Sequence, residues 1–280
     1  MRVAFLGPAG TFTEEALRAS ALERLDEVPY ATIEATVMAV ECGETDLAFV
    51  PIENSLEGSV RATLDTLAAD APSVSIAAEV VHPISQCLIA REKTAFEDLR
   101  RVVSHPQATA QCTRFLGERL PGAERVSAAS TAEAVRIVAA TDDPGVAALG
   151  SRLSADLYGC LVLAEGVEDH PDNLTRFVWL AGADTRARAP VAPGAPKTSI
   201  VFWGFNDDSP GALVTVLKEL ADREVNLTRI ESRPRKVRLG HYMFFADLEG
   251  GTDEPALAGA LEALGGRVET LRVLGSYPAG

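Results

Sequence analysis

Short apolar runs alternate along the first two thirds of the chain with segments in which apolar residues recur every three to four positions. The runs predict buried strands, and the periodic segments predict amphipathic helices. The predicted strands span residues 2–6, 46–50, 74–80, 84–90, 101–104, 125–127, 146–149 and 161–163, with a last apolar run at 177–180. The predicted helices span residues 12–22, 33–42, 60–67, 106–119 and 131–140. This alternation predicts an α/β region of two lobes, with the second lobe inserted within the first.

The pattern changes after a segment at residues 182–197, which is rich in proline and alanine, lacks periodicity and predicts a linker. The predicted elements beyond it are a strand at 198–204, a helix at 210–221, strands at 225–233 and 241–248, a helix at 254–264 and a strand at 267–274. This order, βαββαβ, is ferredoxin-like. The expected division is a first domain at 1–181, with lobe 1 at about 1–78 and 160–181 and lobe 2 at about 79–159, and a second domain at 198–280.

Charge and composition argue against several classes of binding partner. The 280 residues include 40 acidic and 26 basic side chains, so the net charge is −14 at pH 7. This charge argues against nucleic acid and against an anionic membrane as partners. The four cysteines stand far apart, which predicts neither a zinc site nor a disulfide framework. The apolar run at residues 3–6 is too short for a signal peptide and no run could span a bilayer, so we expect a cytoplasmic protein.

Polar side chains gather where predicted strands begin or end. Asn173, Thr175 and Arg176 directly precede or open the apolar run at 177–180, and buried polar groups need partners or a ligand. A threonine hydroxyl can donate a hydrogen bond, and a guanidinium can fork onto a carboxylate. These residue types indicate a small anionic ligand held at the edge of a sheet. The alternative is a turn with Arg176 in a surface ion pair.

Three further polar clusters follow predicted strands in the same way, at residues 7–14, 51–55 and 104–108. In the first, Thr11 and Glu14 fit a capping box at a helix N-terminus, where free backbone N–H groups favour an anion. In the second, Glu53 is either an acid of raised pKa or the partner of an arginine or of a helix N-terminus. Because open α/β sheets bind ligands at strand ends, the clusters predict a cleft between the two lobes.

In this order, and closed by Thr-Arg-Phe at 175–177, the clusters resemble the prephenate dehydratase family. The stretches at 211–213, 231–234 and 242–245 resemble the ACT regulatory domain that this family carries. The resemblance implies an α/β, two-lobed, periplasmic-binding-protein-like catalytic domain followed by a ferredoxin-like (βαββαβ) ACT domain. It also implies the reaction, in which prephenate loses water and carbon dioxide to give phenylpyruvate in phenylalanine biosynthesis.

The resemblance assigns roles to individual residues. Thr175 would donate a hydrogen bond to the departing ring hydroxyl, and Glu53 is the reserve candidate for a true general acid. The residues implied to bind the substrate prephenate are Thr11, Asn54, Ser55, Gln107, Asn173, Arg176 and Phe177. Neither a metal nor an organic cofactor is implied.

The ACT resemblance implies L-phenylalanine as an allosteric effector. The residues implied to bind it or relay its effect are Gly211, Ala212, Leu213, Asn226, Leu227, Thr228, Glu231 and Ser232. A glycine at 211 would open a helix N-terminus to the effector's carboxylate. Because ACT domains pair, we expect a homo-oligomer, either a dimer or a tetramer.

Other functions fit the same residues. One is arogenate dehydratase, which performs the same chemistry on the transaminated substrate. Another is a non-catalytic two-lobed protein that binds a small molecule and is fused to an amino-acid sensor. The sequence has no helical segment of the chorismate mutase type ahead of its first strand, so we expect one catalytic activity rather than two.

Overall fold

The computed structural model describes residues 1–182, 189–205 and 209–280, and the strands of these residues form three sheets. The strands are β1 (Arg2–Leu6), β2 (Asp26–Tyr30), β3 (Leu47–Asn54), β4 (Gly58–Ser59), β5 (Val74–Pro83), β6 (Cys87–Ala90), β7 (Arg101–Ser104), β8 (Glu124–Ser127), β9 (Val146–Gly150), β10 (Leu161–Glu165), β11 (Leu174–Gly182), β12 (Pro196–Trp203), β13 (Leu227–Pro234), β14 (Tyr242–Glu249) and β15 (Thr270–Pro278). The helices are α1 (Phe12–Ser20), α2 (Ile33–Glu41), α3 (Arg61–Ala69), α4 (Pro106–Gln111), α5 (Thr113–Arg119), α6 (Thr131–Ala140), α7 (Arg152–Tyr158), α8 (Ala212–Ala221) and α9 (Pro255–Gly265), with a 3₁₀ turn at Phe96–Asp98.

Polar residues cap the helices where the sequence places them. The side chains of Thr11, Thr32, Ser130 and Ser151 each accept a hydrogen bond from a backbone N–H three residues later, at the starts of α1, α2, α6 and α7. Each bond satisfies an N–H group that the helix itself leaves free. Within the described ranges, no helix combines the length and the apolar character that a bilayer span requires.

The first sheet has the order β2-β1-β3-β11-β5, with β4 paired to β3. Strands β1, β2 and β3 are parallel, whereas β11 runs antiparallel to both β3 and β5. One face packs against α1, where the Phe49 and Phe177 rings stack with centroids 5.2 Å apart. Helices α2 and α3 cover part of the opposite face. The central strand β11 is therefore buried on both sides.

The second sheet, β10-β6-β9-β7-β8, is inserted between β5 and β11 and confirms the two-lobed fold. Hydrogen bonds join the two segments that cross between the lobes, from Ile84 N to Asn173 O at 2.8 Å and from Val167 N to Gln86 O at 3.1 Å. These paired crossings form the base of the space between the lobes.

The lobe boundaries differ from those expected at residues 78 and 160. Strand β5 continues to Pro83 because it pairs with β11 along its whole length. Strand β10 pairs with β6, so it belongs to the second sheet and not to lobe 1. A short apolar run fits either sheet equally well, so the sequence around residue 161 does not decide its partner. The single helix expected at 106–119 is also interrupted, at Cys112.

The C-terminal sheet has the order β13-β14-β12-β15, with α8 and α9 on one face, which confirms the ferredoxin-like fold. Its other face packs on the first lobe. Val201, Phe245 and Leu274 share one apolar cluster with Val50 and Val178 of the first sheet. Of the linker expected at 182–197, residues 183–188 lie outside the described residues, and 189–195 contain no helix or strand.

The two domains approach each other closely at Gly275 of β15. A Cβ added there would lie 2.2 Å from the carbonyl oxygen of Ile76 in β5. We predict that Gly275→Ala lowers the stability of the whole chain by about 1–3 kcal/mol, because one backbone must move away from the other. The measurement is the midpoint of urea unfolding followed by circular dichroism.

Gly117→Ala is the matched control, since Gly117 in α5 has open space around its Cα. Alanine in a helix interior is more stable than glycine by about 0.5–1 kcal/mol, so this midpoint should rise slightly. Equal midpoints for the two variants would contradict the close packing of the domains.

Candidate active site

The candidate site lies at the start of β11, beside the segments that cross between the lobes. Thr175 is directly opposite Asn54 in β3 and His82 in β5. Residues directly opposite in neighbouring strands project to the same face. This is the α1 face of the sheet, and His82 Nε2 there lies 3.9 Å from Oε1 of Glu15 in α1.

Asn54 connects the polar side chains of the site. Its Nδ2 donates to Thr175 Oγ1 at 2.9 Å, to Asn173 Oδ1 at 2.8 Å and to Leu174 O at 3.1 Å. Its Oδ1 accepts from the backbone N–H groups of Leu56 and Glu57, both at 3.0 Å. Because only the Nδ2 end of an amide can donate, these five contacts fix which way the side chain points.

The orientation of Asn54 leaves the Thr175 hydroxyl proton unused. Thr175 Oγ1 accepts the bond from Asn54, and among the described residues no acceptor for its own hydrogen is found. Thr175 is only 8% exposed, so the hydroxyl is held in a largely dry environment. A buried donor without a protein acceptor is a group that a ligand can satisfy.

Asn173 is almost fully buried, and its Nδ2 donates to Gln111 Oε1 at 3.3 Å. Gln111 ends α4 of the second lobe, so this contact joins the two lobes at the site. The sequence prediction named Gln107 instead. Gln107 is exposed, and its backbone N–H donates to His105 Nδ1. Since Gln111 lies four residues later on the same helix, helical spacing from Gln107 could have found it.

The Thr11 hydroxyl donates its proton within the protein. It donates to Leu6 O at 3.0 Å and accepts from Glu14 N at 3.4 Å, so it caps α1 as predicted. The preceding turn is held by the second lobe, because Ser151 Oγ donates to Gly10 O at 2.8 Å. Nothing in these contacts gives Thr11 a free group for a substrate.

Ser55 connects the ends of β3 and β11. Its Oγ accepts from Leu174 N at 3.0 Å and donates to Asp172 O at 3.4 Å. Phe177 lies in the core, stacked on Phe49, and is 2% exposed. Both residues support the strand that carries Thr175, and neither presents a free polar group to a ligand.

Arg176 and Glu53 require a correction, because the structure places both on the opposite face, toward the C-terminal domain. Arg176 Nε donates to Glu79 Oε2 at 2.5 Å, and its two terminal nitrogens reach Asp247 Oδ2 at 2.5 Å and Tyr277 OH at 3.0 Å. Glu53 Oε2 lies 3.3 Å from the same guanidinium. Adjacent residues in a strand project to opposite faces, so Thr175 and Arg176 cannot both face the site.

The partners of Arg176 keep it charged. Burial by itself would lower the pKa of the guanidinium, but Asp247, Tyr277 and Glu79 outweigh burial and raise it. Burial and Asp247 likewise raise the pKa of the Tyr277 hydroxyl well above its usual range. Arg176 is thus a buried cation bound by the protein itself, and is not available to a substrate carboxylate.

A cavity of about 520 Å³ lies between the lobes, lined by Gly7, Pro8, Pro29, Tyr30, Ala31, Ala129, Ser130 and Glu133. Thr175 is not among the described residues that line it. The polar contacts around Asn54, and not this cavity, mark the candidate site.

A second cavity, of about 310 Å³, lies in the C-terminal domain and is lined by Phe205, Ser209, Gly211, Ala212, Leu213, Val214, Gly240, Tyr242 and Phe244. Three predicted effector residues, Gly211, Ala212 and Leu213, belong to this set. Gly211 has a φ of 80° and precedes the first turn of α8, a conformation that glycine adopts without strain.

The other predicted effector residues lie elsewhere on or beside β13. Asn226 precedes β13, and its carbonyl accepts from Glu249 N. Leu227 belongs to the core beneath α8 and α9, and Thr228 Oγ1 donates to Asp247 O. Glu231 faces the first lobe and accepts from Ser59 Oγ at 2.8 Å, whereas Ser232 is exposed.

Family models match both the two-lobed domain and the C-terminal domain. The family model described as prephenate dehydratase matches residues 3–185, and the model described as ACT domain matches residues 205–266. The chain belongs to the prephenate dehydratase family. The resemblance seen in the sequence motifs is therefore confirmed over nearly the whole chain.

Individual prephenate dehydratases align along most of their length. The prephenate dehydratase of Mycolicibacterium vanbaalenii is 44% identical over 293 residues, covering 99% of this chain and 91% of the relative. The bifunctional chorismate mutase/prephenate dehydratase of Neisseria gonorrhoeae is 39% identical, covering 99% of this chain and 74% of the relative.

Solved structures share the same fold. The prephenate dehydratase of Arthrobacter aurescens in complex with L-Phe has a TM-score of 0.87 and 38% identity, covering 99% of this chain and 90% of that one. GqqA, described as a novel type of quorum quenching acylase, has a TM-score of 0.85 and 32% identity, covering 100% of this chain and 98% of that one.

The burial of the Glu14 carboxyl beside the β1–α1 turn can be tested in this prephenate dehydratase family member through the pH dependence of stability. Burial raises the pKa of its carboxyl, even though the Gly10 N–H and Arg18 act in the opposite direction. A carboxyl whose folded-state pKa is raised stabilises the fold most at low pH, and that contribution is lost as pH rises through the folded-state pKa. Glutamine resembles the uncharged acid, so Glu14→Gln should gain stability relative to the parent between about pH 5 and about pH 8.

Glu133→Gln is the matched control, because Glu133 occupies the same capping-box position in α6. A hydrogen bond from Arg136 lowers the pKa of Glu133, so its contribution is present at neutral pH and is lost as pH falls through the folded-state pKa. Thermal unfolding at about pH 5 and about pH 8 measures the Glu14 effect, whereas Glu133→Gln should show no relative change between these values, because Glu133 titrates below about pH 5. An equal gain in both variants between the two pH values would contradict the burial of Glu14.

Proposed function

We propose that the chain catalyses the decarboxylative dehydration of prephenate to phenylpyruvate, a step of phenylalanine biosynthesis, in the cytoplasm. The observation that carries the proposal is the Thr175 hydroxyl. It is buried at the junction of the two lobes, and the bond it accepts from Asn54 leaves its proton free for a substrate oxygen. Membership of the prephenate dehydratase family supplies the substrate class.

The reaction needs little covalent chemistry from the protein. As the ring carboxylate leaves as carbon dioxide, the electrons of its bond enter the ring, which becomes aromatic as the C–O bond to the hydroxyl breaks. The departing oxygen takes up one proton and leaves as water. A donor aimed at this oxygen stabilises the negative charge that develops on it in the transition state.

Thr175 fits the role of that donor better than the role of a general acid. A threonine hydroxyl is too weak an acid to release a proton freely at neutral pH. The bond from Asn54 polarises the hydroxyl and strengthens the hydrogen bond that it donates. Glu53, the reserve candidate for general acid, is bound to arginines on the other face of the sheet, so we do not retain it.

The substrate's polar groups would be held by the amides around Thr175. Asn173 and Gln111 come from different lobes and lie against each other, so a ligand that contacts both would hold the lobes together. Asn54 fixes Thr175 rather than binding substrate. Arg176 is omitted from the proposed substrate contacts because its guanidinium is bound within the protein.

The C-terminal domain is proposed to bind L-phenylalanine in the cavity at the start of α8. The backbone N–H groups of the first turn suit the carboxylate of an amino acid, and Phe205 and Phe244 suit an aromatic ring. The Arthrobacter aurescens relative contains L-Phe, which supports this choice of effector. We propose residues 1–182 as the catalytic domain and 196–280 as the regulatory domain.

A homo-oligomer, a dimer or tetramer through these regulatory domains, is also proposed. Strand β13 lies at the edge of its sheet, and Ile230 on it is 41% exposed. Val214 at the cavity is 68% exposed. An open edge beside exposed apolar side chains is a surface that a second copy of the chain can cover.

The first experiment compares prephenate and arogenate as substrates of the purified chain, each with and without L-phenylalanine. We expect phenylpyruvate from prephenate, suppressed by phenylalanine, and slower turnover of arogenate. Faster turnover of arogenate would change the substrate assignment, and turnover of neither would leave a binding protein with a sensor.

Two further measurements accompany this comparison. A chromogenic fatty-acyl amide, run in parallel, tests the activity ascribed to GqqA, and light scattering gives the oligomeric state of the chain.

Replacing Thr175 tests the proposed donor. Thr175→Val keeps the shape and removes the hydroxyl, so kcat should fall about 10²–10³-fold while KM changes little. Thr175→Ser keeps the hydroxyl and should retain most of kcat. Thr36→Val is the control, since the Thr36 hydroxyl in α2 donates to Thr32 O and has no further partner among the residues that the structure describes. A kcat for Thr175→Val close to that of the parent would exclude Thr175 as the donor.

A further inference from the structure

Each of the two strands that form the candidate site carries a charged residue next to a site residue. In β11, Arg176 follows Thr175, and in β3, Glu53 precedes Asn54. Because neighbours in a strand project to opposite faces, the site side chains have charged counterparts on the face that meets the C-terminal domain. The candidate site and the domain interface are therefore one sheet apart.

Six charged residues and two hydroxyl residues form what we call the Arg176 cluster: Glu53, Glu79, Arg176, Lys197, Ser199, Arg229, Asp247 and Tyr277. Lys197 Nζ donates to both oxygens of Glu79, at 2.6 and 2.9 Å. Ser199 Oγ donates to Asp247 Oδ1 at 2.5 Å. The cluster contains three cations and three anions, and the side chains of Glu79, Asp247 and Arg176 are 2%, 4% and 10% exposed.

The pairing of β3 with β11 is irregular at the same place. Arg176 is opposite Glu53, whereas the next residue, Phe177, is opposite Pro51, so one residue of β3 bulges out of the ladder. Proline also donates no ladder hydrogen bond. A bulge re-aims the side chains beyond it. The bulge thus separates the paired residues Thr175 and Asn54 from the regular part of the sheet. The ion pairs of Arg176 and Glu53 lie next to the bulge.

We infer that Arg176 is a positioning residue, which sets the Thr175–Asn54 pair through its bonds to Asp247 and so makes catalysis depend on how the regulatory domain is docked. The inference rests on the proposed function and extends it. An effector changes activity only if it favours one arrangement of the protein over another. The Arg176 cluster supplies a physical connection through which the C-terminal domain can impose such an arrangement on the site.

Asp247→Asn is the decisive variant, because it removes one charge without changing shape and lies in the regulatory domain. We expect kcat to fall about fivefold to tenfold and the inhibition by phenylalanine to weaken by a similar factor. The KM for prephenate should stay within about twofold, because no substrate contact is removed. Binding of phenylalanine, measured by calorimetry, should persist because the cavity at α8 is intact.

Asp65→Asn is the matched control. Asp65 also forms ion pairs across the interface, with Arg233 at 2.9 Å and with Lys236 at 2.8 Å, but it touches no member of the Arg176 cluster. It should lower stability and leave kcat and inhibition unchanged. If both variants change kcat alike, or if Asp247→Asn changes only KM, the positioning role is wrong.

A second measurement does not depend on turnover. Hydrogen exchange should become faster at residues 53–55 and 174–177 in Asp247→Asn, and it should not change there in Asp65→Asn. Ser199→Ala, which removes the bonds of that hydroxyl with Asp247 and Tyr277, should give a smaller change in the same segments if Asp247→Asn fails to fold. Unchanged exchange refutes the inference, whereas failure of the parent to turn over prephenate refutes only the proposed function.

Discussion

The guanidinium of Arg176 is bound by carboxylates from both domains in a space that water barely reaches. Asp247 comes from the C-terminal sheet, whereas Glu79 comes from the strand beside β11. Removing one member of a buried ion pair leaves an uncompensated charge, which costs more than the pair itself contributes. These ion pairs therefore hold the two domains in one relative arrangement. Arg272 adds to this constraint by donating to three backbone carbonyls at the end of α3 and the start of β5.

This constraint makes the regulatory domain part of the catalytic domain's core. Val201 and Phe245 pack in the same apolar cluster as Val50 and Val178, so the first sheet is covered on that face by a domain that lies beyond the linker. Strand β11 consequently serves two functions: its α1 face carries Thr175 and Phe177, and its other face carries Arg176 and Val178. Only the thickness of β11 separates the C-terminal domain from the candidate site, so a change in how that domain is docked can affect the site directly.

Much of this architecture is predictable from the sequence. Apolar periodicity locates most strands of both lobes and the ferredoxin-like order, because burial imposes those patterns locally. It does not predict β2 or α7, which are too short and too polar for a clear pattern. The roles of Arg176 and Glu53 are not predictable in the same way, since which face a side chain takes depends on the strands beside it and on the bulge near Pro51. Helical spacing makes Gln111 a candidate beside Gln107, because the two lie one turn apart on α4. Which of the two reaches Asn173, 62 residues from Gln111, depends on tertiary structure.

The proposed chemistry explains why a site for an anionic substrate can have Arg176, the residue next to Thr175, on the far side of the sheet. Aromatisation of the ring drives the reaction, so the protein has to orient a leaving oxygen and stabilise a partial charge. A neutral hydroxyl is sufficient for that task if its direction is fixed, and the five contacts of Asn54 fix it. Preorganised donors stabilise a transition state because they need no rearrangement when charge develops. The Arg176 cluster lies on the opposite face of β11 and holds the Thr175 hydroxyl in this orientation. It therefore contributes more to catalysis than a further charge on the α1 face would.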